Sequence, residues 1–142
     1  MASEKRAPAK KRRITTPSAW ESPESGTWSN CFVVGDQVII AGMVARAPDG
    51  KLVGGSDPYE QSVAAFENMR GFIEAAGGKM DDIVKINVYL TDIRHRPAFV
   101  KARRKFFSGD YPAAVVIGNV TLASPELLVE IDGWGFIGAS AQ

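Results

Sequence analysis

The chain has 142 residues, 45% of them hydrophobic, with 17 basic and 16 acidic side chains and a formal net charge of +1. That length suits one globular domain with its own core, and no apolar run approaches the roughly 20 residues of a membrane-spanning helix. A single cysteine, Cys31, excludes an internal disulfide framework, and a single histidine, His95, leaves no cluster for a zinc site, so no metal is expected and the expected setting is reducing and cytoplasmic.

The charge is unevenly spread. Lys5, Arg6, Lys10, Lys11, Arg12 and Arg13 crowd the first 13 residues against only Glu4, while the remainder carries 11 basic and 15 acidic side chains. Residues 1–14 therefore read as a disordered basic tail and residues 15–142 as the single folded domain. No apolar h-region follows the charges, which excludes a secretory signal. The segment Thr15–Thr27 is rich in Ser, Pro and Glu and reads as loop, with Trp20 and, just after it, Trp28 as the large apolar groups.

Two apolar runs flank Gly35-Asp36, and glycine supplies the positive φ of a tight hairpin turn, so residues 30–42 are predicted to form a strand pair. Asp57-Pro58-Tyr59-Glu60 predicts a helix start, with Asp57 as cap and Pro58 at the first helical position. Tyr59, Val63, Phe66, Met69, Ile73 and Ala76 then fall on one helical stripe, and Gly77-Gly78 ends it. Ile83–Leu90 reads as a third strand, with Val84, Ile86, Val88 and Leu90 on one face and Lys85, Asn87 and Tyr89 on the other. A second helix begins near Pro97, its seam formed by Phe99, Ala102 and Phe106. Lys101, Arg103, Arg104 and Lys105 occupy its solvated faces.

After Ser108-Gly109-Asp110, β-branched runs on either side of Ala123-Ser124-Pro125-Glu126 predict two antiparallel strands joined by a short loop. In the last of them Leu127, Val129 and Ile131 face one way and Leu128, Glu130 and Asp132 the other. Acids within an apolar strand need hydrogen-bond partners or a water-filled cleft, so Glu130 is the first candidate functional residue. The predicted order, ββαβαββ, is an α+β layer with both helices on one face of the sheet. Val116, Leu128 and Tyr89 on the opposite face would then be covered by other subunits. No phosphate loop, dinucleotide fingerprint, nucleophilic Ser motif or metal-ligand spacing is present. His95 lacks an orienting partner, and Cys31 reads as a small buried hydrophobe.

Several strings resemble the RidA/YjgF family of reactive-intermediate deaminases, also described as endoribonuclease L-PSP-like: Gly26-Thr27-Trp28-Ser29, Val34-Gly35-Asp36, Ile40-Ala41-Gly42, Ala75-Ala76-Gly77-Gly78, Val88-Tyr89-Leu90-Thr91-Asp92, Tyr111-Pro112-Ala113 and Val129-Glu130-Ile131. The resemblance implies a chorismate-mutase-like subunit, a homotrimer whose three sheets form a central barrel, and ligand clefts between subunits. It also implies cofactor-independent hydrolysis of small enamines and imines to carbonyl compounds and ammonia. The arginine that family deaminases carry after Pro-Ala, which grips the substrate carboxylate, is here Ala114. The usual tyrosine is Trp28, a serine of the second strand is Ala41, and an asparagine of the second helix is Val100.

The retained Glu130 is expected to handle water and protons, with Trp28, Lys85, Asn87, Tyr89, Arg103, Ala114 and Val116 forming the substrate site. Lys85 is expected to draw the Glu130 pKa down against burial. The reading is a divergent imine or enamine deaminase. Its alternative is a non-catalytic trimeric small-molecule binding or regulatory protein that uses the same clefts without turnover; for Glu130 by itself, the alternative role is an intersubunit salt bridge. A nucleic-acid partner fits poorly with the acidic body, and no membrane partner is expected.

Overall fold

The computed structural model describes residues 5–21 and 25–141; the outermost part of the expected tail (1–4), part of the expected loop (22–24) and the end of the expected domain (142) lie outside that range. One six-stranded mixed sheet carries two helices: β1 (Lys11–Arg13), β2 (Cys31–Val34), β3 (Gln37–Met43), α1 (Pro58–Ala75), β4 (Ile83–Leu90), α2 (Arg96–Phe106), β5 (Ala113–Ile117) and β6 (Val129–Phe136). The strand order is β1-β2-β3-β6-β4-β5, with only β4 and β5 parallel. No helix among the described residues is long and apolar enough to cross a membrane.

Local chemistry accounts for most of these elements. Gly35, at φ 61°, turns β2 into β3. The Asp57 carboxylate accepts hydrogen bonds from the amides of Tyr59 (2.9 Å) and Glu60 (3.4 Å), satisfying donors that the first helical turn leaves free. Helix α1 ends at Gly77 with φ 97°. Its stripe includes Phe72, which the predicted spacing omits, and Phe66 is its centre. That ring stacks on Phe99 and Phe106 of α2 and meets Phe107 edge-on, with centroids 5.1–5.7 Å away, and so joins the two helices over the sheet.

Four expectations change. First, β5 and β6 are not a hairpin. Helix α2 returns the chain parallel to β4, and β6 enters between β3 and β4. Gly133 and Gly135 allow this central position, because a Cβ at either would collide with the carbonyl oxygen of Lys85 or Asp82. The connection between β5 and β6 is correspondingly long, and the buried Gln61 side chain fastens its end. Gln61 donates to the carbonyls of Gly55 (2.6 Å) and Glu126 (2.8 Å) and accepts from the Leu128 amide (2.8 Å).

Second, the pairing of β4 with β6 shifts between Ile83 and Lys85, so Ile83 is buried and Val84 exposed, the reverse of simple alternation. Third, Val116 is in register with Val88 and packs toward the core. Val115 and Ile117 are the large β5 residues left exposed on the open face, beside Ala113. Fourth, the loose basic arm expected over residues 1–14 gives way at its end to a strand. Lys11–Arg13 pairs with β2, the Ile14 amide donates to the Cys31 carbonyl (2.9 Å), and Ile14 is buried. Cross-strand hydrogen bonding and one apolar anchor outweigh the segment's charge, which stays in solvent. Ile14→Ala should therefore lower unfolding free energy in urea by about 2 kcal/mol. A change indistinguishable from zero would mean that this segment is not part of the fold.

Candidate functional site

Strand β3 contains one residue more than β6 between the rungs Ile40–Gly133 and Met43–Ile131, so the chain bulges at Ala41 and Gly42. Glu130 lies against that bulge. A Cβ at Gly42 would collide with Glu130 Oε1, so a hydrogen at that α-carbon is what lets the carboxylate settle over the β3 backbone. Glu130 lines a half-open cavity of about 940 Å³, together with Trp20, Glu21, Trp28, Asn30, Ala41 and Arg46.

Two buried asparagines fix the walls. Asn68 of α1 donates to the carbonyls of Val44 (2.9 Å) and Arg46 (2.8 Å) and accepts from the Trp20 amide (3.2 Å), tying the segment before the first hairpin to the loop after it. Asn30 donates to the Trp20 carbonyl (3.3 Å) and accepts from the Trp28 indole N–H (3.1 Å), which orients that ring at the mouth. The residues expected to be plain loop are thus held by carboxamides.

The charges are arranged asymmetrically. Arg46 is held by Glu126 (2.5 Å), whereas Glu130 has no hydrogen-bond or ion-pair partner among the described residues. Burial, and secondarily the negative charge of Asp132 two residues along the same strand face, pushes the Glu130 carboxyl above the usual glutamate range. Asp132 is itself satisfied, accepting from Asn87 Nδ2 (2.6 Å) and from the Tyr89 hydroxyl (3.3 Å). Burial and then the Asp132 charge raise the Tyr89 phenol in turn, keeping it a donor. Lys85 does not offset the rise at Glu130. It stands opposite Trp134, whereas Tyr89 is the residue opposite Glu130.

Of the expected site residues, Trp28 and Glu130 share the cavity. Asn87 and Tyr89 adjoin it on the open face through Asp132. Arg103 does not join them: its guanidinium lies over Phe99 and Tyr111 on the helix side. Ala114 and Val116 are in register with Ile86 and Val88, on the helix-facing side of β5. Cys31 is buried and its thiol is pushed up to about 12 by desolvation, which leaves no thiolate for nucleophilic chemistry. Trp20, Glu21, Asn30, Gly42 and Asn68 were not foreseen. A polar Asn68 beside an apolar helical stripe was the one available signal.

The family model described as Endoribonuclease L-PSP matches residues 20–136. A RutC family protein of Saccharolobus solfataricus is 34% identical over 106 residues, 75% of this chain and 83% of that protein. A protein of Dermatophagoides farinae named 2-iminobutanoate/2-iminopropanoate deaminase is 32% identical over 114 residues, 79% of this chain and 86% of its own. Among solved structures, RidA from the Antarctic bacterium Psychrobacter sp. superimposes with a TM-score of 0.80 at 31% identity, covering 89% of this chain and 99% of that one.

Because Glu130 titrates higher in the fold than in the unfolded chain, the folded protein binds more protons between the two values. The stability this confers is complete below the unfolded glutamate value of about 4.3 and is lost as pH rises through the folded value. Glu130→Gln should thus melt above the parent protein at about pH 8, with the difference gone by about pH 4. A variant less stable than the parent at the higher pH would show that the carboxylate has a partner.

Proposed function

The chain belongs to the Endoribonuclease L-PSP family, the RidA family, and from that membership we propose that it is a cofactor-independent hydrolase of imines or enamines with Glu130 as its acid–base group. The observation that carries this reading is Glu130 itself: a half-buried, unpartnered carboxylate with a raised pKa, facing a cavity walled by indole rings. A carboxyl whose pKa burial raises holds a proton more readily than an ordinary glutamate, which suits a group that must accept a proton and return it. In the proposed reaction the water oxygen adds to the imine carbon while Glu130 takes one of its protons. Glu130 then returns that proton to the nitrogen, giving a carbinolamine; the carboxyl next carries the water's second proton from the hydroxyl to the nitrogen as the carbon–nitrogen bond breaks, so that ammonia leaves and the oxygen remains as a carbonyl. Tyr89, opposite Glu130, and Asn87 hold Asp132 in place, and that negative charge favours protonated Glu130 at the step where a proton must be given back.

Assembly is part of the proposal. The open sheet face exposes Ile39, Val115, Ile117, Trp134 and Phe136, each between 36% and 43% accessible in one chain, and a homotrimer closing its three sheets into a barrel would cover them. The alternative reading, a binding protein without turnover, rests on the family resemblance, in which Ala114 stands where deaminases carry the arginine that grips the substrate carboxylate. The two separate in one assay, ammonia release from imines generated in place by amino-acid or amine oxidases. The proposed enzyme accelerates release from at least one such imine, and Glu130→Gln slows it by roughly 10² to 10⁴ while binding is retained. No acceleration across the series, or full activity in the variant, would leave the binding reading standing.

A further inference from the structure

The charges lining the cavity have one uncompensated sign. Arg46 is its only basic side chain among the described residues, and that guanidinium is spent on Glu126 and, at 3.5 Å, on the Gly50 carbonyl. Against it stand three acids. Asp49 lies 3.8 Å from Lys51 at the exposed rim, but among the described residues Glu21 and Glu130 have no partner of either kind, and Glu21 Oε1 is buried without a hydrogen bond. An orphaned carboxylate oxygen facing a cavity calls for a donor from the ligand. The uncharged walls include Trp20 and Trp28, whose ring type attracts cations as well as apolar bodies, beside Val44, Pro48 and Leu127.

We infer that the cavity selects a cationic ligand with an apolar or aromatic body and no carboxylate, an iminium or ammonium compound, its nitrogen donating to Glu21 and Glu130. This rests on the reading of the cavity as the substrate site and names its substrate class: iminium ions derived from amines rather than from amino acids. The stoichiometry closes without a further reactant, since the iminium ion and one water give the carbonyl compound and ammonium. A carboxylate substrate would instead meet two unpaired acids in a partly desolvated space, where like charges repel strongly.

Two probes of matched size test this, 2-phenylethylammonium and 3-phenylpropanoate, titrated into the full-length protein at neutral pH and low salt while tryptophan fluorescence is followed. The inference expects saturable quenching by the ammonium compound, none by the carboxylate over the same range, and weakening of the former by about tenfold or more in Glu21→Gln. Carboxylate binding as tight as ammonium binding overturns it, as does ammonium binding indifferent to both Glu21→Gln and Glu130→Gln. The wild-type comparison decides the matter even where a variant folds poorly. If the ammonium probe binds as expected but no imine is hydrolysed, the selectivity stands and the enzymatic reading falls. If imines bearing carboxylates are the ones bound and hydrolysed, the selectivity falls and the enzymatic reading stands.

Discussion

A carboxylate is held in a partly desolvated cleft with nothing of opposite charge beside it, and much of the surrounding chain serves to keep it there. Leaving Glu130 uncompensated is unfavourable, since a charged group loses water without gaining a partner. Such an arrangement persists only where the backbone leaves no alternative. Here the β3 bulge sets Gly42 beside Glu130, and the bare α-carbon of Gly42 accepts the carboxylate where any other residue would displace it. Local unfavourable arrangements of this kind concentrate at sites of chemistry.

The cleft around Glu130 depends in turn on polar groups that are buried and satisfied. Asn68 and Asn30 bind three segments that have no regular secondary structure in common, and Gln61 does the same for the end of the long connection before β6. A carboxamide suits this task because it offers donors and an acceptor in one plane, and because burying it leaves no charge to neutralise. The apolar core, centred on Phe66, provides the stability that these irregular segments lack.

The elements with strong local signals were legible in sequence: the capped and glycine-terminated α1, the Gly35 turn, the α2 seam, and the alternation that buries Val129 and Ile131 while turning Glu130 away from the helices. What was not legible was long-range. Whether β5 pairs with β6 or with β4 is decided by α2 and by the close approach that Gly133 and Gly135 permit, and neither effect appears in the periodicity of the strands themselves. The shift at Val84 is a one-residue event that reverses which face is buried. The site followed the same division. Glu130 and Trp28, each chemically conspicuous where it stands, were named in sequence and line one cavity. Asn30 and Asn68 were missed because their importance lies in partners far along the chain, and Glu21 because nothing beside it in sequence marks it as a cavity residue. Arg103 was misjudged, since its helical position alone did not tell which ring it would cover.

The central claim is that Glu130 is a proton-carrying group rather than an ion-pair anchor. Carbon-13 NMR of glutamate-labelled protein, titrated from about pH 3 to pH 9 and assigned through Glu130→Gln, measures it directly. The account predicts a Glu130 resonance that titrates above the ordinary glutamate value and moves down in Asp132→Asn, as neutralising the neighbouring charge requires. A Glu130 carboxyl that titrates at or below the ordinary value, with no response to Asp132→Asn, would contradict it and identify the residue as half of a salt bridge.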